Sequence, residues 1–377
     1  MTHRERILNA LKHKEPDRVP VDLGSHSSST ITAGAHERLR AYLGLPPNPP
    51  PAIASRWLGT VVPDEAIMRR FGVDARPLFL GAPDGRPERE LPDGSLMNEW
   101  GVTRTKHGDG HYYPTDGPFY RLAEPTPEDV ERLSWLDPAD AGRYRGLRER
   151  AKALHENTDY AVVLSLGSGP VHVGHQVRGF GEWLSDLLVN PSFSDALTER
   201  ITDFWVEVAD RALEEVGNHV DVVTWGDDLG IQRGLLFRSE LYRRVIKPRY
   251  KRMVEAVKRH GKPIIYHTCG SVVDLIPEFI ELGIDALNPV QVSAAGMDTK
   301  RLKREFGQDI AFWGAIDTQA VLPRGTPAEV REEVKRRIED LAPGGGYVLC
   351  AVHNIQPDVP PDNIVAMYEA AVEYGRY

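Results

Sequence analysis

The chain has 377 residues, of which 41% are hydrophobic and 27% are charged, a composition typical of a folded globular protein with a substantial core. Acidic residues outnumber basic residues by 55 to 46, and the net charge of −9 argues against nucleic acid or an anionic membrane as the main partner. No stretch is long and apolar enough to span a bilayer, and the amino-terminal residues lack the apolar core of a signal peptide. We therefore expect a cytoplasmic protein.

The first third of the chain is the least regular part. Hydrophobic spacing predicts a helix that ends near residues 14–16, then a short strand over 19–24 that runs into a serine-rich loop. The prolines of residues 45–51 predict an extended connector. Residues 82–122 contain two hairpin turn patterns, at 92–95 and 107–110, and predict a β-hairpin excursion whose aromatic residues form either a lid or a small separate core.

Helical and extended patterns alternate from about residue 127 onwards. Apolar runs predict strands at 160–167, 220–225, 263–266, 286–290, 310–313 and 346–349, with helices between them over 193–216, 239–260, 272–282, 326–341 and 361–374. This alternation predicts a parallel sheet, and the strand at 19–24 brings the set close to the eight that a (β/α)8 barrel needs. We predict one TIM barrel domain over 1–377, with an amino-terminal extension and the excursion at 82–122.

Polar side chains follow several of the predicted strands at the same end. In a parallel barrel, the carboxyl ends of all strands open on one face, where active sites are built. Five runs that end in this way therefore predict one common pocket. The polar residues in question are Asp227, Asp228, His267, Cys269, Asn288, Gln291, Asp317, Cys350, His353, Asn354 and Gln356.

The two cysteines give the most specific indication of chemistry. His267 and Cys269 are two residues apart on an extended segment and project to the same face. Cys350, from a distant strand, would complete a set of three ligands that leaves a fourth position open. Two thiolates and an imidazole suit zinc better than magnesium or calcium. The alternative for either cysteine alone is a small buried hydrophobic residue.

The charge of such a site bears on its reaction. Two thiolates neutralise the zinc dication, and a substrate thiolate would make the site anionic, which favours alkyl transfer over hydrolysis. Neighbouring residues of an extended chain point in opposite directions, so only one of Asp227 and Asp228 is expected in the pocket.

Catalytic roles are predicted for Asp228 and His353, each with alternatives. Asp228 is a general acid or base, a fourth ligand or a helix cap. His353 is a ligand, a partner of a ligand, a substrate contact or a structural loop histidine. The predicted substrate-binding residues are His175, Asn288, Gln291 and Asp317.

The chain resembles the uroporphyrinogen decarboxylase superfamily over nearly its whole length. This resemblance implies a (β/α)8 barrel. The combination of His267, Cys269 and a distant Cys350 is similar to the zinc motif of the corrinoid-dependent branch, the methylcobamide:coenzyme M methyltransferases. Cobalamin-independent methionine synthase is similar in the same way. The residues that carry the resemblance are 4–8, 15–21, 239–242, 246–248 and the block from 267 to 363.

The resemblance implies a zinc-dependent enzyme that moves a methyl group between a corrinoid and a thiol or another small donor or acceptor. The chain has no Asp-x-His-x-x-Gly motif for binding a corrinoid, so a separate corrinoid protein is the expected partner. Related barrels often dimerise, which implies a homodimer.

Other functions stay open at this point. The decarboxylases grip substrate carboxylates with an arginine-rich segment, and residues 24–30 here contain no arginine, which counts against porphyrinogen decarboxylation. The alternatives are a metal-free decarboxylase or lyase that uses Asp228 and a histidine on a small carboxylate, and a barrel that binds a ligand without chemistry.

Overall fold

The computed structural model describes residues 1–46, 50–108 and 110–377. Residues 47–49 of the predicted connector and Asp109 of the predicted turn at 107–110 lie outside the described residues.

A curled sheet of seven parallel strands forms the centre of the molecule. Neighbours in the sheet are also neighbours in chain order. The strands are β1 (Ala75–Phe79), β2 (Ala161–Ser168), β3 (Val222–Gly226), β4 (Ile264–His267), β5 (Ala286–Asn288), β6 (Ala311–Ile316) and β7 (Tyr347–Ala351).

Residues 20–22 close this sheet into a barrel. Val21 pairs in parallel with Leu349 of β7, and the N–H of Leu349 donates to the carbonyl of Pro20 at 2.9 Å. On the other side, the N–H of Asp74 donates to the carbonyl of Val21 at 2.9 Å. The strand predicted over 19–24 is thus a short bridge between β7 and β1, and the predicted (β/α)8 barrel is confirmed.

Helices pack around the barrel as the alternating pattern predicts. The helix predicted from residue 326 begins with Thr326 as its N-cap, Pro327 at its first position and Glu329 completing a capping box. The α-helices are α1 (His3–Leu11), followed by Ala33–Tyr42, Glu65–Arg70, Pro127–Arg132, Leu147–Asn157, Pro170–Arg178, Phe180–Val189, Pro191–Val216, Ser239–Leu241, Lys247–Lys258, Ile276–Leu282, Thr299–Phe306, Val321–Arg324, Pro327–Leu341 and Pro361–Tyr374. Within the described ranges, none of these helices is both long and apolar enough to cross a membrane.

Two elements differ from the sequence prediction. Strand β1 was not predicted, because Arg76 and Pro77 interrupt its apolar run and proline is normally excluded from the interior of a sheet. The helix predicted over 239–260 contains a π-helical turn, Tyr242–Ile246, between two α-helical parts.

The excursion at 82–122 is an antiparallel sheet that packs on the barrel. Its strands are Arg89–Glu90, Leu96–Met97, Thr103–Lys106 and Tyr112–Asp116. The Trp100 ring lies 5.0 Å from that of Phe204 and 6.1 Å from that of Trp205, which belong to the long helix behind β2. Trp100 and Val102 join the main hydrophobic core, so the described residues of the excursion pack as part of that core. Short strand pairs also occur at Ile31–Thr32, Ile53–Ser55 and Thr60–Val61, and at Gly230–Ile231 and Gly234–Leu235.

Helix α1 closes the amino-terminal end of the barrel. Its residues Ile7, Ala10 and Leu11 are buried against the first residues of the strands, among them Ala75 and Ala161. The small alanine side chains leave room for the helix, and the apolar contact keeps it in place. The amino-terminal extension therefore acts as a plug.

The buried carboxylate of Asp74, directly before β1, ties the plug and the closing segment to the barrel. It accepts hydrogen bonds from Arg6 at 2.5 Å, from Arg18 at 2.8 Å and from the N–H of Val21 at 2.8 Å. The Nδ1 atom of His3 lies 2.7 Å away. Burial raises the pKa of Asp74, but His3, Arg18 and Arg6 outweigh it and hold that pKa below its usual value.

Replacement of this carboxylate should be costly. We expect Asp74→Ala to lower the free energy of unfolding by about 3–5 kcal/mol, since it leaves buried arginines without their partner. Asp17 is the surface partner of the same Arg6, and the side chain of Asp17 is 47% exposed. Asp17→Ala should therefore cost about 1 kcal/mol or less. Urea unfolding followed by circular dichroism measures both. Equal losses would contradict the role given to Asp74.

Candidate active site

A cavity of about 1000 Å³ opens at the carboxyl ends of the strands. Side chains that follow β2, β3, β4 and β7 form its floor, while residues 53–58 and the excursion form its walls. Of the polar residues predicted to share one pocket, Asp228, His267 and His353 line this cavity, and the others lie outside its lining. The lining residues that matter for chemistry are His26, Arg104, His172, Gln176, Asp228, His267 and His353.

His267, Cys269 and His353 form a group that could hold a metal ion. One side-chain nitrogen or sulfur atom of each lies within 4.8 Å of the other two. The Sγ atom of Cys269 is 3.6 Å from Nε2 of His267, and the His353 ring lies 5.6 Å from the His267 ring. Two imidazoles and one thiolate are a donor set that suits zinc and leaves a fourth position open.

Asn288 fixes the orientation of His267. The register of the sheet sets His267 of β4 opposite Asn288 of β5, and Nδ1 of His267 lies 2.6 Å from Oδ1 of Asn288. The amide of Asn288 is itself held, because its nitrogen donates to the carbonyl of Trp313 at 3.1 Å. An amide oxygen only accepts, so Nδ1 carries the proton and Nε2 is free to bind a metal, as is usual for metal-binding histidines. Asn288 is 1% exposed and its side-chain oxygen is taken up by His267, while the predicted contact with substrate stays a prediction.

The third member of the group differs from the sequence prediction. Cys350 lies inside β7 and is 1% exposed, and its thiol donates to the carbonyl of Ala351 at 3.2 Å. It packs in the barrel interior with Val348 and Trp313, and burial raises the pKa of its thiol. Strand β7 ends at Ala351, and the chain then turns so that His353 enters the cavity. The structure therefore places His353, and not Cys350, beside His267 and Cys269.

Asp228 lines the cavity next to this group. Its Oδ1 atom lies 3.9 Å from Nε2 of His267 and accepts a hydrogen bond from the N–H of Cys269 at 2.8 Å. Burial raises the pKa of Asp228, but the facing His172 and His267, the Cys269 N–H and His353 together lower it to about 2. Asp228 is therefore a carboxylate at neutral pH.

Asp227 points away from the cavity into the core. It accepts hydrogen bonds from the N–H of His172 at 2.6 Å and from the hydroxyl of Tyr250 at 2.7 Å. Burial raises its pKa to about 7, against the lowering effect of the Tyr250, His172 and Val171 hydrogen bonds. A side chain at Gly169 would put its Cβ 2.2 Å from Asp227, so glycine is required there. The structure agrees with the prediction that only one of these two aspartates faces the pocket.

Three predicted substrate contacts lie away from the main cavity. Gln291 accepts a hydrogen bond from the N–H of Gly270 at 2.7 Å and so supports the loop that carries Cys269. Asp317 accepts from the N–H of Gln319 at 2.8 Å and from that of Val321 at 3.2 Å, in the turn that precedes the helix Val321–Arg324. His175 lines a smaller neighbouring cavity of about 280 Å³. The structure therefore gives Gln291 and Asp317 supporting roles.

His26 lines the cavity but was not predicted from the sequence. It follows the closing segment, and its ring lies 6.0 Å from that of His267. The N–H of Ser28 donates to its Nδ1 atom at 3.3 Å, while its buried Nε2 atom has no hydrogen-bond partner within the described part of the chain. The strand predicted over 19–24 could have indicated the position of His26, because it places residues 24–30 at the mouth of the barrel.

Fold and site together define a barrel whose strands end in side chains that could hold a metal ion. Residues 110–374 match the uroporphyrinogen decarboxylase (URO-D) family. The chain belongs to this family.

Its relatives include both decarboxylases and methyltransferases. A uroporphyrinogen decarboxylase of Methylococcus capsulatus is 27% identical over 275 residues, which cover 69% of this chain and 73% of that protein. A methylcobamide:CoM methyltransferase of Methanosarcina mazei is 25% identical over 248 residues, which cover 66% of this chain and 68% of that protein. A solved structure, a methyltransferase from Methanosarcina mazei, has the same fold, with a TM-score of 0.66 and 20% identity over 99% of both chains.

Substitution of the two adjacent aspartates should destabilise the protein to different extents. We expect Asp227→Ala to lower the free energy of unfolding by about 2–4 kcal/mol, because buried donors lose their acceptor. Asp228→Ala, whose side chain is 38% exposed to the cavity, should cost about 1 kcal/mol or less. Urea denaturation of the two variants under identical conditions tests this difference. A larger loss for Asp228→Ala would show that the two roles are reversed.

Proposed function

We propose that the protein is a zinc-dependent methyltransferase, which moves a methyl group between a corrinoid on a partner protein and a thiol or another small methyl donor or acceptor. The observation that carries the proposal is the group of His267, Cys269 and His353, of which His267 and His353 line the cavity. Relatives named as a methylcobamide:CoM methyltransferase and as a methylated-thiol–coenzyme M methyltransferase support it.

The residues present fit a zinc ion. His267, Cys269 and His353 would hold it through Nε2, Sγ and one ring nitrogen, and Asn288 keeps His267 in the required tautomer. Bound zinc would supply a Lewis acid that lowers the pKa of a substrate thiol.

The charge of the site is balanced differently from the sequence prediction. One thiolate, from Cys269, replaces the expected pair, so the ligands alone leave a zinc dication partly uncompensated. Asp228 lies 3.9 Å from His267 and is charged at neutral pH. It supplies the negative charge that Cys350 was expected to bring. The charge argument for alkyl transfer therefore depends on Asp228.

Asp228 and His353 take different parts in this proposal. A carboxyl with a pKa of about 2 cannot donate a proton at neutral pH, so Asp228 acts as a hydrogen-bond acceptor that orients the substrate beside Cys269. His353 acts as a ligand. The Nε2 atom of His26 is available to donate a hydrogen bond to the substrate from the opposite side.

The partner that carries the corrinoid would approach the carboxyl end of the barrel, since α1 plugs the other end. The single-domain organisation over 1–377, the homodimer and the cytoplasmic location stay predictions.

Metal analysis distinguishes a ligand set that includes His353 from the predicted set that includes Cys350. Purified without chelator, the protein should contain about one zinc per chain. Cys269→Ala and His353→Ala should each lose most of it, whereas Cys350→Ala should keep it. Elemental mass spectrometry and competition with a chromogenic chelator measure content and affinity. Zinc that persists in His353→Ala but disappears in Cys350→Ala would favour the ligand set predicted from the sequence.

An activity assay tests the reaction itself. Methyl transfer from methylcobalamin to a panel of thiols should occur with the zinc-loaded protein, and Cys269→Ala should reduce its rate by at least about 100-fold. Cys350→Ala serves as the matched control and should change the rate by less than about 3-fold, since its thiol is buried below the site. A zinc-free preparation that decarboxylates a small carboxylate, without methyl transfer, would establish the alternative function.

A further inference from the structure

Arg104, on the excursion strand Thr103–Lys106, is a buried cation at the wall of the active-site cavity. It is 3% exposed, and it lines both the main cavity and the smaller neighbouring one. Trp57, His172 and Gln176 also line both cavities, so Arg104 lies where the two spaces meet.

The guanidinium of Arg104 makes no ion pair within the described ranges. Its Nη2 atom donates to Oε1 of Gln176 at 2.7 Å, but its buried Nε atom has no acceptor there. The carboxylate of Glu88 acts on Arg104 only at longer range, where it favours the charged form of the guanidinium. Arg143 differs, because it is also 3% exposed, lines the same cavity and pairs with Glu99 at 2.5 Å, although its Nε atom likewise has no acceptor in the described part of the chain.

The unpaired cation still carries its charge. Burial lowers the pKa of Arg104 to about 10, which leaves it protonated at neutral pH. A buried charge without a partner destabilises a protein unless a ligand supplies the opposite charge. The arrangement is therefore suited to an anion.

The neighbouring side chains define the kind of anion. A planar guanidinium fits a carboxylate through two parallel hydrogen bonds, and the amide nitrogen of Gln176 offers a further donor. Glu88 also lines the cavity, 3.8 Å from Arg56, and its negative charge disfavours a doubly charged phosphate. The Trp57 ring lies 4.9 Å from the Arg104 guanidinium, and Phe79, Trp100 and Trp205 give the cavity apolar walls.

We propose that Arg104 and Gln176 bind the carboxylate of a small monocarboxylic acid with an apolar body, whose other end faces His267 and Asp228. The inference rests on the proposed function, in which the other end of this acid carries the thiol that accepts the methyl group: the thiol loses its proton to solvent, an S–CH3 bond forms, and the Co–CH3 bond of the corrinoid breaks with its electron pair left on cobalt. The excursion then selects the substrate, and the strand ends carry the reaction.

Binding of simple acids tests the site directly. Benzoate and hexanoate are titrated against the full-length protein, with benzamide and hexanamide as neutral counterparts, and tryptophan fluorescence reports binding beside Trp57. At least one acid should bind at least about 10-fold more tightly than its amide. Arg104→Met should weaken the binding of that acid by at least about 10-fold, and Arg104→Lys should recover part of the lost affinity.

Arg56→Met is the matched control, since Arg56 lines the same cavity but already faces Glu88. It should change acid binding by less than about 3-fold. Circular dichroism and the thermal midpoint of each variant show whether it is folded. The assignment is overturned if neither acid binds, if the amides bind equally well, or if Arg56→Met weakens binding as much as folded Arg104→Met. Tighter binding of phenylphosphonate than of benzoate would likewise overturn a carboxylate site.

The test is independent of the metal. Acid binding should persist in Cys269→Ala after treatment with chelator, because Arg104 belongs to the excursion, whereas Cys269 follows β4 and does not line the cavity. If the wild type binds the acid but contains no zinc and transfers no methyl group, the proposed function is wrong and the carboxylate site stands. If the wild type contains zinc and transfers a methyl group but binds no acid, the carboxylate site is wrong and the proposed function stands.

Discussion

Closure of the barrel at one buried carboxylate is the constraint on which the rest of the structure depends. Asp74 lies directly before β1. Its carboxylate accepts hydrogen bonds from the N–H of Val21 in the closing segment and from Arg6 of the plug helix. Seven parallel strands without that closure would leave an open sheet, whose two edges could drift apart. With it, the strand that leads to His26 and the strand that leads to His353 are neighbours at the mouth.

The register set by this closure positions the candidate metal group before any ligand arrives. His267 is opposite Asn288 because β4 and β5 pair at that point, so the tautomer of the imidazole is decided by the sheet. Cys269 follows on the same chain, and its N–H is held by Asp228 from the end of β3. His267 and Cys269 are thus each fixed by a hydrogen bond to a residue at another strand end, which is the kind of support that metal ligands require.

Much of this could be predicted from the sequence, and the exceptions have physical causes. Periodicity located most strands, since buried parallel strands appear as continuous apolar runs. It missed β1, where Pro77 breaks the run. The two-residue spacing of His267 and Cys269 predicted that their side chains lie side by side. Cys350 was preferred to His353 because thiolates are good zinc ligands, but the point at which β7 ends decides which side chain reaches the mouth.

Other residues could not be placed from one sequence. Asn288 and Gln291 were recognised as polar strand ends, but their partners depend on the pairing of strands, which the sequence does not state. Arg104 lies in a segment whose packing on the barrel follows from Trp100 contacts far along the chain. Its lack of a counterion is a property of three-dimensional surroundings, so no local pattern reveals it.

The plug formed by α1 has a kinetic consequence. A barrel whose amino-terminal end is closed by α1 admits molecules to its cavity from the carboxyl end. Under the proposed function, a bulky carrier docked over that end would cover the exit of a small molecule held in the cavity, so the two could not exchange independently. Turnover would follow a compulsory order, in which the small molecule enters before the carrier docks and leaves after it departs.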